Sequence, residues 1–103
     1  MVNRQTAIKL SKDFITECQK HGLRFREVWL FGSFATGEQH EWSDIDLLLV
    51  SDQFTNNVFD NLKLYSKINI RYPQIETHPY PTTSFLAGDS FIEEIKKSRI
   101  EIS

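Results

Sequence analysis

Two aspartates separated by one residue open the most apolar run of the chain, DIDLLLV at 44–50. Side chains alternate between the faces of a β-strand, so Asp44 and Asp46 are expected on one face, with Leu48 and Val50 continuing that face into a core. Two carboxylates this close repel each other unless a cation lies between them. Because hard oxygen ligands suit Mg²⁺, the spacing predicts a magnesium site at the start of this strand.

Gly32 and Ser33 are separated from Asp44 by ten residues and follow the short apolar run VWLF at 28–31. A strand that turns at Gly-Ser into a short helix presents free N–H groups, a small hydroxyl and the positive end of a helix dipole, which together suit a phosphate. Gly32 also lets the backbone approach a ligand without a Cβ in the way. Alone, the pair would be read as an ordinary turn, but with the acids it predicts a site shared by phosphates and Mg²⁺.

Glu76 is an isolated acid within the predicted strand at 74–80. An acid in mid-strand is unusual unless it faces a ligand or an edge. If this strand pairs in register with that of Asp46, three carboxylates meet; they could hold two Mg²⁺ ions, or Glu76 could take the proton of an acceptor hydroxyl. A solvent-facing edge acid stays open as the alternative, because register cannot be read from sequence. His78 lies on the same face as Glu76 and is interpreted as a polar neighbour, outside the site.

Hydrophobic periodicity predicts the elements that position these residues. Helices are predicted over 3–21 and 57–69 and from Ser90 onwards, strands over 28–31, 44–50 and 74–80, and a short helix at Phe34–Ala35 closed by Gly37. In the 57–69 helix the residues expected to face inward are Val58, Phe59, Leu62, Tyr65 and Ile68 or Ile70. Ser90 and Glu93 have the spacing of a capping box. The order of elements predicts an α/β or α+β fold with at least three strands, in a single domain over 1–103.

Composition narrows the functional class. The chain has 40% apolar and 25% charged residues, which is typical of a globular protein, and it has neither an apolar span of membrane length nor the apolar centre of a signal peptide. Its single cysteine, Cys18, falls on the inner face of the first helix, so we expect packing and a reducing cytoplasm.

The net charge is −2 with a pI near 5.9, which argues against a protein that mainly grips nucleic-acid backbone. Two basic groups are interpreted as solvated helix faces. They are Lys63, Lys67 and Arg71, and Lys96, Lys97 and Arg99. Trp42 and His40 lie in the loop before Asp44, where a tryptophan is expected to pack onto its own domain rather than contact a base or a partner.

The combination of Gly32-Ser33, ten residues and Asp44-x-Asp46 resembles the nucleotidyltransferase superfamily related to DNA polymerase beta. At this length the chain is similar to minimal nucleotidyltransferases, from the first helix to the strand-like IEI at 100–102. The resemblance implies a small mixed or antiparallel sheet of three to four strands with flanking helices. It implies Mg²⁺, as two ions, held by Asp44, Asp46 and Glu76, and the phosphates of ATP or another NTP bound at Gly32, Ser33 and Ser43.

The implied reaction transfers a nucleoside monophosphate to a hydroxyl, with pyrophosphate leaving. Minimal members are commonly encoded beside a helical HEPN protein and resemble antitoxins that adenylylate a tyrosine of this partner. We therefore expect a Mg²⁺-dependent antitoxin enzyme, able to form homo- or hetero-oligomers, with no membrane or extensive nucleic-acid partner. Two alternatives stay open: a non-catalytic antitoxin that neutralises its partner by contact, and nucleotidylation of a small molecule. The chain departs from the family pattern at Thr36, where many relatives carry Arg, and at Glu76, where the acid is often Asp.

Overall fold

The computed structural model describes residues 2–103 as a four-stranded mixed sheet with flanking helices. In chain order the elements are α1 (Arg4–Lys20), β1 (Glu27–Phe31), α2 (Ser33–Thr36), β2 (Ile45–Ser51), α3 (Val58–Lys63), α4 (Ser66–Asn69), β3 (Ile75–Pro81), α5 (Thr82–Ala87), α6 (Ser90–Ile95) and β4 (Ile100–Glu101). The strand order is β3-β2-β1-β4, with β1 antiparallel to β2 and β4 and β3 parallel to β2. The predicted fold class is confirmed. Among the described residues, no helix has the length and apolarity needed to cross a membrane.

Both faces of the sheet are covered, and this explains the unbroken apolar run of β2. On one face Val28, Leu30, Leu47 and Leu49 pack in a cluster with residues of α1, α2 and α4. On the other face Trp29, Phe31, Leu48 and Val50 pack with Ile92 and Ile95 of the α6 helix. Asp46 belongs to this second face, so the chemistry predicted for β2 lies on the side of the sheet that α5 and α6 cover.

The first helix agrees with its predicted position. Asn3 caps it by accepting a hydrogen bond from the backbone N–H of Thr6 at 2.8 Å, and the chain leaves it through Gly22 at φ 91°. Cys18 is fully buried on its inner face, and burial raises the pKa of this thiol to about 12. The thiol therefore packs in the core as predicted.

The predicted helix over 57–69 is wrong in its continuity and largely in its inner face. The chain breaks into α3 and α4, and three of the apolar residues expected inside are exposed: Val58, Phe59 and Leu62. Only Tyr65 and Ile68 are buried as predicted. In α3 the buried residue is Asn61, whose side-chain amide binds both the N–H and the C=O of Thr55 at 2.8 Å. These two hydrogen bonds turn the polar residue inward and hence the apolar face outward.

The C-terminal part also differs from prediction in detail. The cap of α6 is Asp89, whose carboxylate accepts from the N–H of Ile92 at 2.8 Å, one residue before the predicted Ser90. Helix α5 was not predicted. Strand β3 agrees with the predicted strand over 74–80 to within one residue at each end. It tolerates Pro79 because it is an edge strand, where a missing N–H need not interrupt the ladder. The predicted strand-like segment at 100–102 forms β4.

Candidate active site

Asp46 and Glu76 lie directly opposite each other on neighbouring parallel strands. The register between β2 and β3 pairs them, and on the other side of β2 Asp46 pairs with Phe31, the last residue of β1. Register is fixed in part by polar contacts behind β3, since Thr77 binds the hydroxyl of Tyr65 at 2.9 Å and the side-chain carbonyl of Asn69 at 3.1 Å. Glu76 is thus an exposed acid on an edge strand and, at the same time, the direct neighbour of Asp46 across the sheet.

Gly32 brings the end of β1 against the Asp46 carboxylate. Its backbone has φ 75° and ψ −153°, a conformation that essentially only glycine adopts, and a Cβ at this position would collide with Oδ2 of Asp46. The chain then turns into α2, where the carbonyl of Gly32 accepts from the N–H groups of Ala35 and Thr36 at 3.0 and 3.1 Å. Gly37 closes the turn at φ 85°, as predicted. Ser33 consequently lies on the wall of a cleft that Asp46 and Glu76 also line.

Asp44 and Ser43 line the same cleft but are placed differently from Asp46. Asp44 precedes the first residue of β2 and is exposed, so it lies outside the tight carboxylate group. The hydroxyl of Ser43 accepts from the N–H of His40 at 2.9 Å, and the Ser43 N–H donates to the His40 carbonyl at 3.0 Å. Ser43 thus closes a tight loop that carries Trp42 and positions Asp44.

The indole of Trp42 stands free of the domain at the rim of the cleft. Its exposed fraction is 81%, so the expectation that it packs onto its own domain is wrong. The loop supports its backbone instead, because the Trp42 N–H donates to Nδ1 of His40 at 3.1 Å. The exposed indole is therefore available for a planar ligand.

His78 joins the two carboxylates, although the sequence interpretation left it out. Its Nε2 lies 3.7 Å from Oδ1 of Asp46 and 3.9 Å from Oε1 of Glu76. Among the described residues these three side chains are the one group whose ligand atoms, within 4.8 Å of one another, suit a metal ion. The sequence did carry a usable signal, since residues 76 and 78 of one strand share a face. The shared face could not indicate a site as long as the register between β2 and β3 was unknown.

The cleft has a volume of about 630 Å³ and a strongly acidic lining. Its residues are Gly32, Ser33, Thr36, Glu38, His40, Trp42, Ser43, Asp44, Asp46 and Glu76, which include four carboxylates and no Lys or Arg. Hard, uncompensated oxygen donors of this kind fit Mg²⁺, and they would repel a triphosphate that arrived without cations. Thr36, at the place of the usual Arg, leaves this charge unopposed.

The arrangement agrees with comparisons to known proteins. Residues 11–102 match the profile of the nucleotidyltransferase domain family. A protein of Methanocaldococcus jannaschii, named as a candidate protein adenylyltransferase, is 36% identical over 72 residues, which cover 69% of this chain and 66% of that protein. The chain thus spans slightly less than two thirds of this relative's length.

Solved structures give the same fold. A candidate nucleotidyltransferase of Sulfolobus solfataricus superposes with a TM-score of 0.69 at 25% identity, covering 95% of this chain and 80% of the other. A toxin–antitoxin structure with AMP-PNP superposes with a TM-score of 0.61 at 16% identity over 89% of this chain and 72% of that one, a likeness in fold alone. With a profile match over most of its length and the matching sheet, the chain belongs to the nucleotidyltransferase domain family.

Proposed function

We propose that this domain transfers AMP from Mg²⁺-bound ATP to a hydroxyl of a partner protein. The observation that carries the proposal is the registered pair of Asp46 and Glu76 beside the Gly32-Ser33 turn. A purely structural domain gains nothing from four uncompensated carboxylates around one cleft, because their mutual repulsion lowers its stability. A cleft that binds a metal–nucleotide complex needs them.

The metal would be held by Asp46 and Glu76, with Asp44 reaching it from the start of β2. Bound there, Mg²⁺ would neutralise phosphate charge and polarise the reacting oxygens. We propose two such ions, because their charge would balance that of the four carboxylates of the cleft. Ser33 and the backbone of Gly32 would contact the phosphates, and the Trp42 ring would cover the base.

In the reaction the acceptor oxygen attacks the α-phosphorus of ATP in line with the bond to the β-phosphate. The new P–O bond forms as the bond to pyrophosphate breaks. The acceptor proton passes to the carboxylate of Glu76, whose side chain is 56% exposed and therefore accessible to an incoming hydroxyl. Ser43 contributes by holding the loop that carries Trp42 and Asp44.

We propose a HEPN-type toxin as the acceptor, modified on a tyrosine, so that the domain acts as an antitoxin in the cytoplasm. The support is the resemblance to minimal nucleotidyltransferases, the relative named as a candidate protein adenylyltransferase, and the fold neighbour from a toxin–antitoxin structure with AMP-PNP. In this proposal residues 1–103 act as one catalytic domain, and the acceptor hydroxyl is brought to the cleft by the partner.

Intact-mass spectrometry of the protein encoded beside this chain tests the proposal, after incubation with the domain, Mg²⁺ and ATP. We expect a gain of one or more adenylyl groups, lost with Asp46→Asn and kept with Asp13→Asn. Asp13 is a matched control because it is an exposed acid on α1, paired with Lys9 at 2.8 Å.

Three outcomes decide between the candidate functions. Adenylylation that persists in Asp46→Asn would refute the assignment of the cleft. Toxin neutralisation without any mass gain would favour the contact-only antitoxin. Neither a mass gain nor a complex would favour a small-molecule acceptor.

A further inference from the structure

The imidazole of His78 has a position that nucleotide transfer by Mg²⁺ alone does not require. Its Nε2 is shielded from solvent and has no hydrogen-bond partner among the described residues. A buried polar atom left in this state costs free energy unless something outside the protein satisfies it. The two nearest acceptors, Oδ1 of Asp46 and Oε1 of Glu76, are 3.7 and 3.9 Å away, beyond the range of about 2.7–3.2 Å for a hydrogen bond.

These separations fit three ligands of one cation. Ligand atoms at about 2.1 Å from a metal ion are separated from each other by roughly 3–4 Å. The distances from Nε2 to the two carboxylates lie in this range. The separation between the carboxylate oxygens of Asp46 and Glu76 is at most 4.8 Å. A small rotation of the half-exposed Glu76 side chain can shorten it.

The ring is held in this orientation by packing rather than by polar contacts. Its centroid lies 5.1 Å from that of Phe31 on β1 and 5.9 Å from that of Phe91 on α6. Phe91 is fixed in turn against Tyr80, whose hydroxyl donates to Asp89, the cap of α6, at 2.8 Å. A ligand that is oriented before the ion arrives loses little freedom on binding.

We propose that Asp46, Glu76 and His78 form a mixed oxygen–nitrogen site that binds a first-row transition-metal dication in preference to Mg²⁺. Mg²⁺ takes oxygen ligands, whereas an imidazole nitrogen favours Co²⁺, Ni²⁺ or Zn²⁺. Asp46 is shared between this site and the phosphate side of the cleft, because its Oδ2 faces Gly32 while its Oδ1 faces His78. The inference rests on the proposed function in that both place a cation on Asp46 and Glu76, and it adds His78 as a nitrogen ligand that a Mg²⁺ site on these two carboxylates does not need.

The test measures binding of Co²⁺ and Mg²⁺ by calorimetry without nucleotide or acceptor, on the wild-type chain and on His78→Phe. Phenylalanine keeps an aromatic ring between Phe31 and Phe91 and has no nitrogen that could bind a metal. We expect the Co²⁺ affinity of His78→Phe to fall at least about tenfold while the Mg²⁺ affinity changes less than about threefold. The chain contains three histidines, and His21→Gln is the control that should keep wild-type Co²⁺ affinity, because His21 lies at the end of α1 whereas His40 lines the cleft.

Pulsed EPR of bound Mn²⁺ gives a second readout that does not depend on the stability of His78→Phe. We expect a histidine ¹⁴N coupling in the wild-type protein that changes to ¹⁵N on labelling with ¹⁵N-histidine and persists in His21→Gln and His40→Gln. Absence of this coupling, its loss in His40→Gln, or equal losses of Co²⁺ and Mg²⁺ affinity in His78→Phe would overturn the proposal. Nitrogen coupling without adenylyl transfer would refute the proposed function alone, and transfer without the coupling would refute this inference alone.

Discussion

Replacement of Gly32 by alanine tests whether the close approach of β1 to Asp46 builds the site. The substitution places a Cβ where it collides with Oδ2 of Asp46 and contacts Cγ at 3.3 Å, in a backbone conformation at φ 75° that strains any other residue. Backbone strain of this kind costs about 1–3 kcal/mol. To remove the collision, the carboxylate has to move by on the order of 1 Å, and a shift of about 1 Å in a reacting group costs roughly 100-fold in rate.

Gly22→Ala is the matched control. Gly22 also has a positive φ, 91°, but a Cβ there meets nothing within 4 Å, and it lies at the end of α1 away from the cleft. We expect both variants to lose about 1–3 kcal/mol in urea unfolding, a decrease in Tm of roughly 4–8 °C for each kcal/mol. Only Gly32→Ala should also lose metal binding in calorimetry and transfer in the mass assay.

Wild-type Mg²⁺ binding and AMP transfer by Gly32→Ala would refute a role for this close approach. This role is also refuted if Gly22→Ala loses transfer to the same extent, since the defect would then follow from stability alone. Mg²⁺ binding and AMP transfer should be measured for both variants well below their midpoints of unfolding, so that nearly all of each protein is folded and a loss of stability alone cannot explain a defect.

Two further predictions concern stability. Asn61→Ala removes both hydrogen bonds to the backbone of Thr55. The free energy of unfolding, measured by urea titration, should fall by about 1–2 kcal/mol. An unchanged free energy would mean that the orientation of α3 has another cause. Burial and a hydrogen bond to Asp89 raise the pKa of Tyr80 to about 12, and burial also raises the pKa of Tyr65. The unfolded chain releases these protons at lower pH than the folded chain does. The free energy of unfolding should therefore be retained below pH 10 and decrease between pH 10 and 12, with a smaller decrease in Tyr80→Phe. An unchanged decrease in that variant would contradict the assignment.

The strands that carry the motifs could be predicted from the sequence, because a strand that is buried on both faces appears there as an unbroken apolar run. β1 and β2 are of this kind, and Gly32 and Asp46 at their facing ends could be placed from the strand pattern alone. The same information could not show that Glu76 faces Asp46, since register depends on contacts made elsewhere, such as those of Thr77 behind β3.

Other features depended on tertiary contacts that no local pattern encodes. Apolar spacing in 57–69 predicted one amphipathic helix, whereas the hydrogen bonds of Asn61 outweigh that spacing and expose Phe59. His78 acquires its position from Phe31 and Phe91, which come from a different strand and a helix distant in sequence. A reading of β3 alone therefore could not distinguish a packed histidine from a ligand.

The two outer strands of the sheet limit how a partner can bind. β3 lacks N–H donors at Pro79 and Pro81 along its free side, and β4 at the opposite side is only two residues long. Neither edge offers the continuous row of hydrogen-bonding groups that an added strand needs. Association with another protein should therefore use side chains on helices and loops and leave the sheet unextended, and the same edges protect the free chain from strand-to-strand aggregation.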